Sequence, residues 1–168
     1  LPFRLKFFQK RHYKEISYKF VKFHIFKEVM RKISIILNLK ILYSEDKNIF
    51  SAHSVSKHID RKVANYILKN NKINIIYSYE DCSKQSFKVA KLNNIKTIYD
   101  LTTPYWRYKQ KILHEELKLQ PDWNLSSTEI FSPEKCKDKD EELNLSDQII
   151  VASSFAAKSL ELHNFKKK

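Results

Sequence analysis

Two groups of residues with chemically useful side chains follow predicted β-strands. Glu80 and Asp81 come directly after residues 73–79, a β-branched and aromatic run typical of a strand. Adjacent carboxylates at the end of a strand can act as a general base or bind sugar hydroxyls. Asp81 also precedes a predicted helix, where it could serve as the N-cap and interact favourably with the helix dipole. The two roles can coexist.

The second group, residues 102–107, follows the next predicted strand and combines aromatic rings with an arginine. A flat ring stacks on a sugar face, and an arginine forks to anions. Tyr105, Trp106 and Arg107 are therefore predicted carbohydrate or phosphate contacts. The alternative interpretation is the start of a helix, with Pro104 at its first position and Trp106 in the core.

The elements that must position these groups follow one another in the order strand, helix, strand, helices, strand, helix. This order predicts an α/β fold in which a parallel, Rossmann-like sheet is connected by right-handed crossovers and flanked by helices. Ligands bind beyond the carboxyl ends of the strands in such sheets, so the important loops are 79–83, 101–107 and 153–154. The predicted helices are 57–70, 84–92, 104–119 and 133–145, with a last helix capped by Ser153 or Ser154, and the predicted strands are 73–79, 96–101 and 148–152.

The composition excludes several classes of site. The chain contains no Gly, so a Walker A loop and a G-x-G-x-x-G fingerprint are both absent. No cofactor held through its phosphates by a Gly-rich loop is therefore predicted in this chain. Cys82 and Cys136 are too few and too far apart for a disulfide framework or a zinc knuckle, which indicates a reducing, cytoplasmic compartment.

No metal site is predicted either. The histidines show no H-E-x-x-H or other ligand spacing. Asp138 and Asp140 spell D-x-D, a metal and nucleotide-sugar signature in one class of glycosyltransferase. Because lysines and glutamates surround them in a predicted helix, we interpret this segment as a solvated face.

The net charge of +13 is concentrated at the beginning of the chain, where residues 1–40 contribute +9. Such a basic segment can bind nucleic acid, an anionic membrane, or nothing. Lysines outnumber arginines 27 to five, and arginine is the better residue for phosphates and base edges, so we do not expect a nucleic-acid partner.

Residues 13–37 are predicted to form an amphipathic helix with interleaved lysines. It either packs on the domain with snorkelling lysines or lies on an anionic membrane surface. No run of 18 apolar residues occurs, so no transmembrane helix is predicted. The predicted location is cytoplasmic, either free of the membrane or peripheral at its cytoplasmic face. The apolar positions of this helix are Ile16, Phe20, Phe23, Met30, Ile33 and Leu37.

Several segments between residues 55 and 163 together resemble the N-terminal, acceptor-side domain of family 4-like glycosyltransferases of the GT-B type. Their order and spacing carry the resemblance. The segments are Ile-Asp-Arg-Lys-Val-Ala at 59–64, Tyr-Ser-Tyr-Glu-Asp at 77–81, Phe-Lys-Val-Ala-Lys at 87–91, Ile-Tyr-Asp-Leu at 98–101, Pro-Tyr-Trp-Arg at 104–107, Asp-Glu-Glu-Leu-Asn-Leu-Ser-Asp at 140–147 and Ile-Val-Ala-Ser-Ser-Phe at 150–155.

The resemblance implies two Rossmann-like domains facing a cleft. The N-terminal domain receives a sugar or lipid-linked acceptor, and the C-terminal domain binds a nucleotide-diphosphate sugar, usually without a bound metal. It makes Glu80 and Asp81 candidates for orienting or deprotonating the acceptor hydroxyl. The expected acceptor-binding residues are Tyr79, Thr103, Tyr105, Trp106 and Arg107.

The resemblance also defines two regions, a basic N-terminal segment at 1–55 and the acceptor-side domain at 56–168. It places the first strand before Leu1 and a donor domain after Lys168 or on another chain, so we expect this chain alone to be inactive. Members of the family that this chain resembles place Gly after the Glu-Asp pair, where this chain has Cys82. The alternative function is a non-catalytic basic module that binds nucleic acid or an anionic membrane.

Overall fold

Three short parallel strands lie at the centre of the fold. The structure, a computed structural model, describes residues 16–122, 131–163 and 165. Strands β1 (Ile75–Tyr79), β2 (Lys96–Leu101) and β3 (Gln148–Val151) are hydrogen-bonded in the order β1-β2-β3. The predicted α/β class with a parallel, Rossmann-like sheet is confirmed.

Six α-helices surround this sheet in the described part of the chain. One short 3-10 helix, Tyr18–Phe20, lies before the first α-helix, and another, Lys40–Leu42, lies between the first and the second. The helices are α1 (Phe26–Ile36), α2 (Ala52–Leu68), α3 (Lys84–Leu92), α4 (Trp106–Leu119), α5 (Pro133–Leu145) and α6 (Ser154–Glu161).

Strand β2 carries the centre of the core. Thr97, Tyr99 and Leu101 alternate along it on one face and are fully or almost fully buried, as a period-two strand requires. The Tyr99 ring meets the Phe87 ring of α3 edge-on, with 6.3 Å between the ring centroids. Leu143 of α5 belongs to the same cluster. Helices α3 and α5 thereby pack against β2, whose end precedes the second predicted site loop.

Several predicted elements have the expected limits. Helix α3 and strand β2 match residue for residue. Ser132 caps α5 by accepting the backbone N–H of Lys135, with Pro133 in the first turn, and Ser153 caps α6 by accepting the N–H of Ala156. These signals are local, so they can be recognised from the sequence alone.

The predicted helix at 13–37 is wrong in extent. Its first residues lie outside the described chain, and the helix begins only at Phe26, after an extended residue at Val21. Aromatic and β-branched residues dominate 18–26, and both types have low helix propensity. Helix α2 begins at Ala52 under a Ser51 cap, so the predicted loop at 44–55 ends early and the region boundary at 55 falls within a helix.

Pro104 does not occupy the first position of a helix, as the sequence had suggested. Tyr105 is the N-cap of α4 and is extended, with φ −50° and ψ 134°. Its backbone N–H donates to the hydroxyl of Ser159 at 2.9 Å. A contact with α6 therefore holds Tyr105 outside the helix, which no local pattern could indicate.

Without glycine, other residues take the left-handed backbone positions. Asn38 follows α1 with φ 54°, and Asn94 follows α3 with φ 55°. Asparagine tolerates this conformation better than most residues with a Cβ, so it replaces glycine after these helices. The predicted helix end at Asn70 does not involve a left-handed residue. The side-chain amide of Asn70 instead donates to the carbonyl of Tyr66, in the last turn of α2. Within the described residues, no helix combines the length and apolar character that crossing a bilayer requires.

Candidate functional site

Helix α5 contacts both predicted site loops through consecutive charged residues. The interpretation of this segment as a solvated face is wrong, because Asp138, Lys139 and Glu142 are only 6%, 3% and 2% exposed. Lys139 and Glu142 contact the loop after β1, and Asp140 contacts residues 105–107 after β2. Asp138 instead binds Lys84 at the start of α3. Acidic and basic residues that look solvent-exposed in sequence therefore form the polar interior of the site.

Glu142 binds the turn between β1 and α3. Its carboxylate accepts the backbone N–H groups of Asp81 and Ser83 at 2.9 Å each and that of Lys84 at 3.2 Å. The hydroxyl of Tyr99 donates to it at 3.0 Å. Burial raises the pKa of Glu142 to about 7, although the hydrogen bonds from Ser83 and Asp81 act in the opposite direction. One buried carboxylate thus satisfies three amides that the turn leaves without strand or helix partners.

Asp81 does not cap α3, contrary to one of the two roles that its position suggested. Asp60 of α2 instead accepts the N–H groups of Gln85 and Ser86, at 2.6 and 2.9 Å. Asp81 itself has φ 70°, a left-handed conformation that turns the chain. The neighbouring Cys82 has no such positive φ. Its thiol lies 3.6 Å from the carbonyl of Ser56, and burial raises its pKa to about 12.

Glu80 and Thr103 meet at the carboxyl edge of β1 and β2. The Thr103 hydroxyl donates to one Glu80 oxygen at 3.0 Å, and the Lys139 ammonium binds the other at 2.6 Å. Lys139 also lies 2.8 Å from Asp81. Burial lowers the pKa of Lys139, but the Asp81 and Glu80 carboxylates outweigh it and keep the pKa above its ordinary value. The predicted pair of carboxylates therefore meets at one buried ammonium.

Asp140 organises the second predicted group. It accepts the Tyr105 hydroxyl at 2.7 Å, the Trp106 indole N–H at 2.6 Å and the Arg107 guanidinium at 2.7 Å. Arg107 also lies over the Trp106 ring, 4.3 Å from the centroid. Burial and the hydrogen bond to Asp140 raise the pKa of Tyr105 to about 12. All three side chains are thus oriented by one carboxylate.

The seven predicted site residues differ in what they expose. Tyr105 and Trp106 are buried in the core, whereas Arg107, Thr103 and Tyr79 are exposed to solvent. The burial of Trp106 agrees with the alternative interpretation, which placed this side chain in the core. Tyr79 makes an edge-on ring contact with Tyr77 across 5.7 Å. The structure joins Glu80, Asp81 and Thr103 through Lys139. It joins residues 105–107 through Asp140, the next residue of α5.

Two cavities adjoin these groups. One, of about 350 Å³, lies beside the β1–α3 turn and is bordered by charged residues that include Asp60, Asp81, Lys84 and Glu142. The other, of about 520 Å³, is more open and lies against α4 and α5. Its lining includes Trp106, Arg107, Gln110, Phe131, Cys136 and Asp140. In the second cavity the exposed Arg107 guanidinium therefore lies next to apolar side chains. This combination suits a ligand that has both an anionic and an apolar part.

One group of side chains has the types that could hold a metal ion. The ligand atoms of His53, Glu134 and Asp138 lie within 4.8 Å of one another. Lysine ammoniums already bind these carboxylates, with Lys57 2.6 Å from Glu134 and Lys84 2.6 Å from Asp138. Within the described chain neither ring nitrogen of His53 has a hydrogen-bond partner, and its pKa is lowered by burial and by nearby lysines. The lysines supply the positive charge that a cation would bring, and the absence of a metal stays a prediction.

The sequence reasoning missed Asp60, Lys139, Asp140 and Glu142. One signal was available, because α3 starts after a glycine-free turn whose amides need acceptors from elsewhere. The mixed-charge run at 137–142 offered four acids within one predicted helix. Nothing in the sequence, however, indicates which acid meets which amide.

We expect Glu142→Gln to change how stability depends on pH. The folded state raises the pKa of Glu142 from 4.5 to about 7, so it favours the protonated carboxyl. This contribution is complete below the unfolded pKa and is lost as the pH rises through 7. Urea unfolding at pH 5, 6.5 and 8 should show that the unfolding free energy of the wild type falls by roughly 2–3 kcal/mol relative to the non-titrating variant between pH 5 and 8. If the unfolding free energies of both proteins change equally with pH, the raised pKa of Glu142 is contradicted.

We expect Lys139→Met to destabilise the fold by about 3 kcal/mol, because it leaves two partly buried carboxylates without their shared cation. The neighbouring exposed Lys137→Met is the matched control and should change the unfolding free energy by less than about 0.5 kcal/mol. Adding Glu80→Gln and Asp81→Asn to Lys139→Met should recover at least half of the loss in chemical denaturation. Equal effects of the two Lys→Met changes would show that the buried ammonium has no special role.

Comparison with known proteins gives no family assignment. The chain matches no family model, no curated protein and no solved structure. The α/β class therefore stands on the sheet and its flanking helices alone. What the site does has to be argued from the geometry around α5.

Proposed function

We propose that this chain is the acceptor-side domain of a GT-B glycosyltransferase that moves a sugar from a nucleotide-diphosphate sugar to an acceptor hydroxyl. The observation that carries the proposal is the meeting of Glu80 and Thr103 at the carboxyl edge of the sheet. Edges of this kind are where parallel α/β sheets bind ligands. The resemblance of the segments between 55 and 163 supports the same interpretation.

Glu80 has an orienting role in this proposal. Lys139 holds one of its oxygens and Thr103 the other, which fixes the carboxylate without consuming all of its acceptor capacity. An acceptor hydroxyl that donates to this carboxylate would be held at the carboxyl edge of the sheet. A donor bound across the cleft would then meet an acceptor oxygen already in position, and such positioning lowers the barrier of a group transfer.

Arg107 and Thr103 supply the exposed recognition groups. The guanidinium is held by Asp140 and by the Tyr105 hydroxyl, so it is pre-oriented before a ligand arrives. Held in this way, it loses little conformational entropy on binding an anion. Tyr105 and Trp106 act as the buried support for that arginine, rather than as stacking platforms. An acceptor with hydroxyls near Thr103 and an anionic group near Arg107 fits this division.

The donor belongs on a second domain, in cis or in trans. No Gly-rich phosphate cradle exists in this chain. The proposal therefore predicts a coding segment of about 150–200 residues with Gly-rich turns and paired glutamates, a normal domain size, either continuing past Lys168 or in a separate gene nearby. Sequencing the flanking DNA checks this. A stop codon after Lys168 with no donor-domain gene nearby, or sugar transfer by the 168 residues alone, would contradict it.

Binding by the chain itself can be followed residue by residue. In ¹⁵N-correlation spectra, methyl glycosides and glycosyl phosphates should shift the backbone amides of Thr102, Thr103 and residues 105–107, whereas UDP-glucose should leave them unchanged. Thr103→Val and Arg107→Gln should each weaken glycosyl phosphate binding at least tenfold. Lys118→Ala, an exposed change at the end of α4, is the control and should bind like the wild type. Shifts by UDP-glucose alone would contradict the acceptor assignment.

A further inference from the structure

Helix α1 presents an apolar stripe to solvent. Phe26, Val29, Ile33, Ile36 and Leu37 follow the spacing of one helical face, and each is between 41% and 70% exposed. A surface helix of a globular domain normally turns that face toward the core. Contiguous exposed apolar surface marks a site of interaction with a protein or a membrane.

The polar side of α1 faces the protein instead. Ser34 is the buried residue of this helix and donates to the carbonyl of Met30. The Lys27 ammonium donates to the Ser54 hydroxyl of α2 at 2.6 Å and to the carbonyl of Ile49 at 3.3 Å. The helix is therefore attached through its hydrophilic residues, and this attachment leaves the apolar stripe facing outward.

The segments on either side of α1 extend the apolar surface. Phe20, Phe23 and Ile25 precede the helix and are 76%, 63% and 61% exposed, and Ile41 beyond it is 82% exposed. The Lys22 ammonium lies over the Tyr66 ring of α2, 3.8 Å from the centroid, which holds the preceding segment against the domain. Exposed apolar side chains thus recur along the chain from residue 16 to residue 41.

The same segment is strongly basic. Residues 16–41 contain six Lys or Arg and one acid, Glu28, so their formal charge is +5. Anionic headgroups complement this charge, while acyl chains accept the aromatic and aliphatic side chains. A second copy of the chain would bring the same positive charge against itself. The lipid surface is the partner that matches both properties.

We propose that residues 16–41 form a peripheral docking surface for an anionic lipid bilayer, with Phe20, Phe23 and Phe26 entering the headgroup–acyl boundary. Exposed lysines of the segment, among them Lys19 and Lys40, contact lipid phosphates, whereas Lys27 stays bound to the domain. This inference goes beyond the proposed function and does not depend on it, since attachment to a bilayer requires neither a donor nor an acceptor sugar.

Vesicle sedimentation with the full chain tests the docking surface. At 50 mM NaCl we expect binding to vesicles of 70% phosphatidylcholine and 30% phosphatidylglycerol, at least tenfold weaker binding to pure phosphatidylcholine, and a similar loss at 0.5 M NaCl. The triple variant Phe20→Ser, Phe23→Ser, Phe26→Ser should lose at least tenfold in partitioning. Circular dichroism checks that this variant remains folded.

A matched triple variant separates the docking surface from general surface hydrophobicity. Leu92, Leu119 and Leu162 are 84%, 71% and 58% exposed and lie outside residues 16–41. Changing these three leucines to serine should leave vesicle binding within twofold of the wild type. Equal losses in both triple variants, or retained binding by the phenylalanine variant, would overturn the proposal.

Two further results would also overturn it. One is the absence of wild-type binding to the anionic vesicles at low salt. The other is a concentration-dependent dimer in analytical ultracentrifugation that the phenylalanine changes abolish, without vesicle binding, since this would make a second copy the occupant. Failure of the sugar titrations would leave these vesicle results unaffected, so the two proposals fail separately.

Discussion

The capping of the β1–α3 turn by Glu142 is the interaction on which the arrangement of the site depends. A chain that leaves a strand and enters a helix within a few residues has backbone amides with no local acceptor. Glu142 accepts three of them and is fixed in turn by Tyr99, at the centre of the core. The turn, the sheet and α5 are therefore joined at one buried carboxylate.

The direction of the Glu80 and Asp81 side chains follows from this turn. Once the amides of Asp81 and Ser83 point inward to Glu142, the two carboxylates meet Lys139, one turn earlier on α5. A buried ammonium that binds two carboxylates strongly constrains the geometry, because removing the ammonium leaves both carboxylates without a shared cation. The positions of the candidate functional side chains at the edge of the sheet therefore depend on a network of charged groups that is mostly buried.

Local signals accounted for what the sequence could predict. The β-branched run of β2, the phenylalanine and alanine positions of α3, and the Ser-Pro start of α5 each lie within a few residues, and their elements have the predicted limits. The site's partners were not predictable in this way. Glu142 and Ser83 are 59 residues apart, and the same acidic run would serve equally well on a solvated helix. The early start of α2 and the delayed starts of α1 and α4 likewise reflect contacts and propensities that the periodic pattern masked.

Lys139 and Asp140 are consecutive residues, yet one holds the loop after β1 and the other the loop after β2. Helix α5 is therefore a shared support for both loops. Because Lys139 and Asp140 belong to one turn of a hydrogen-bonded helix, a substitution that displaces this turn would disturb the carboxylate at the end of β1 and the arginine after β2 together.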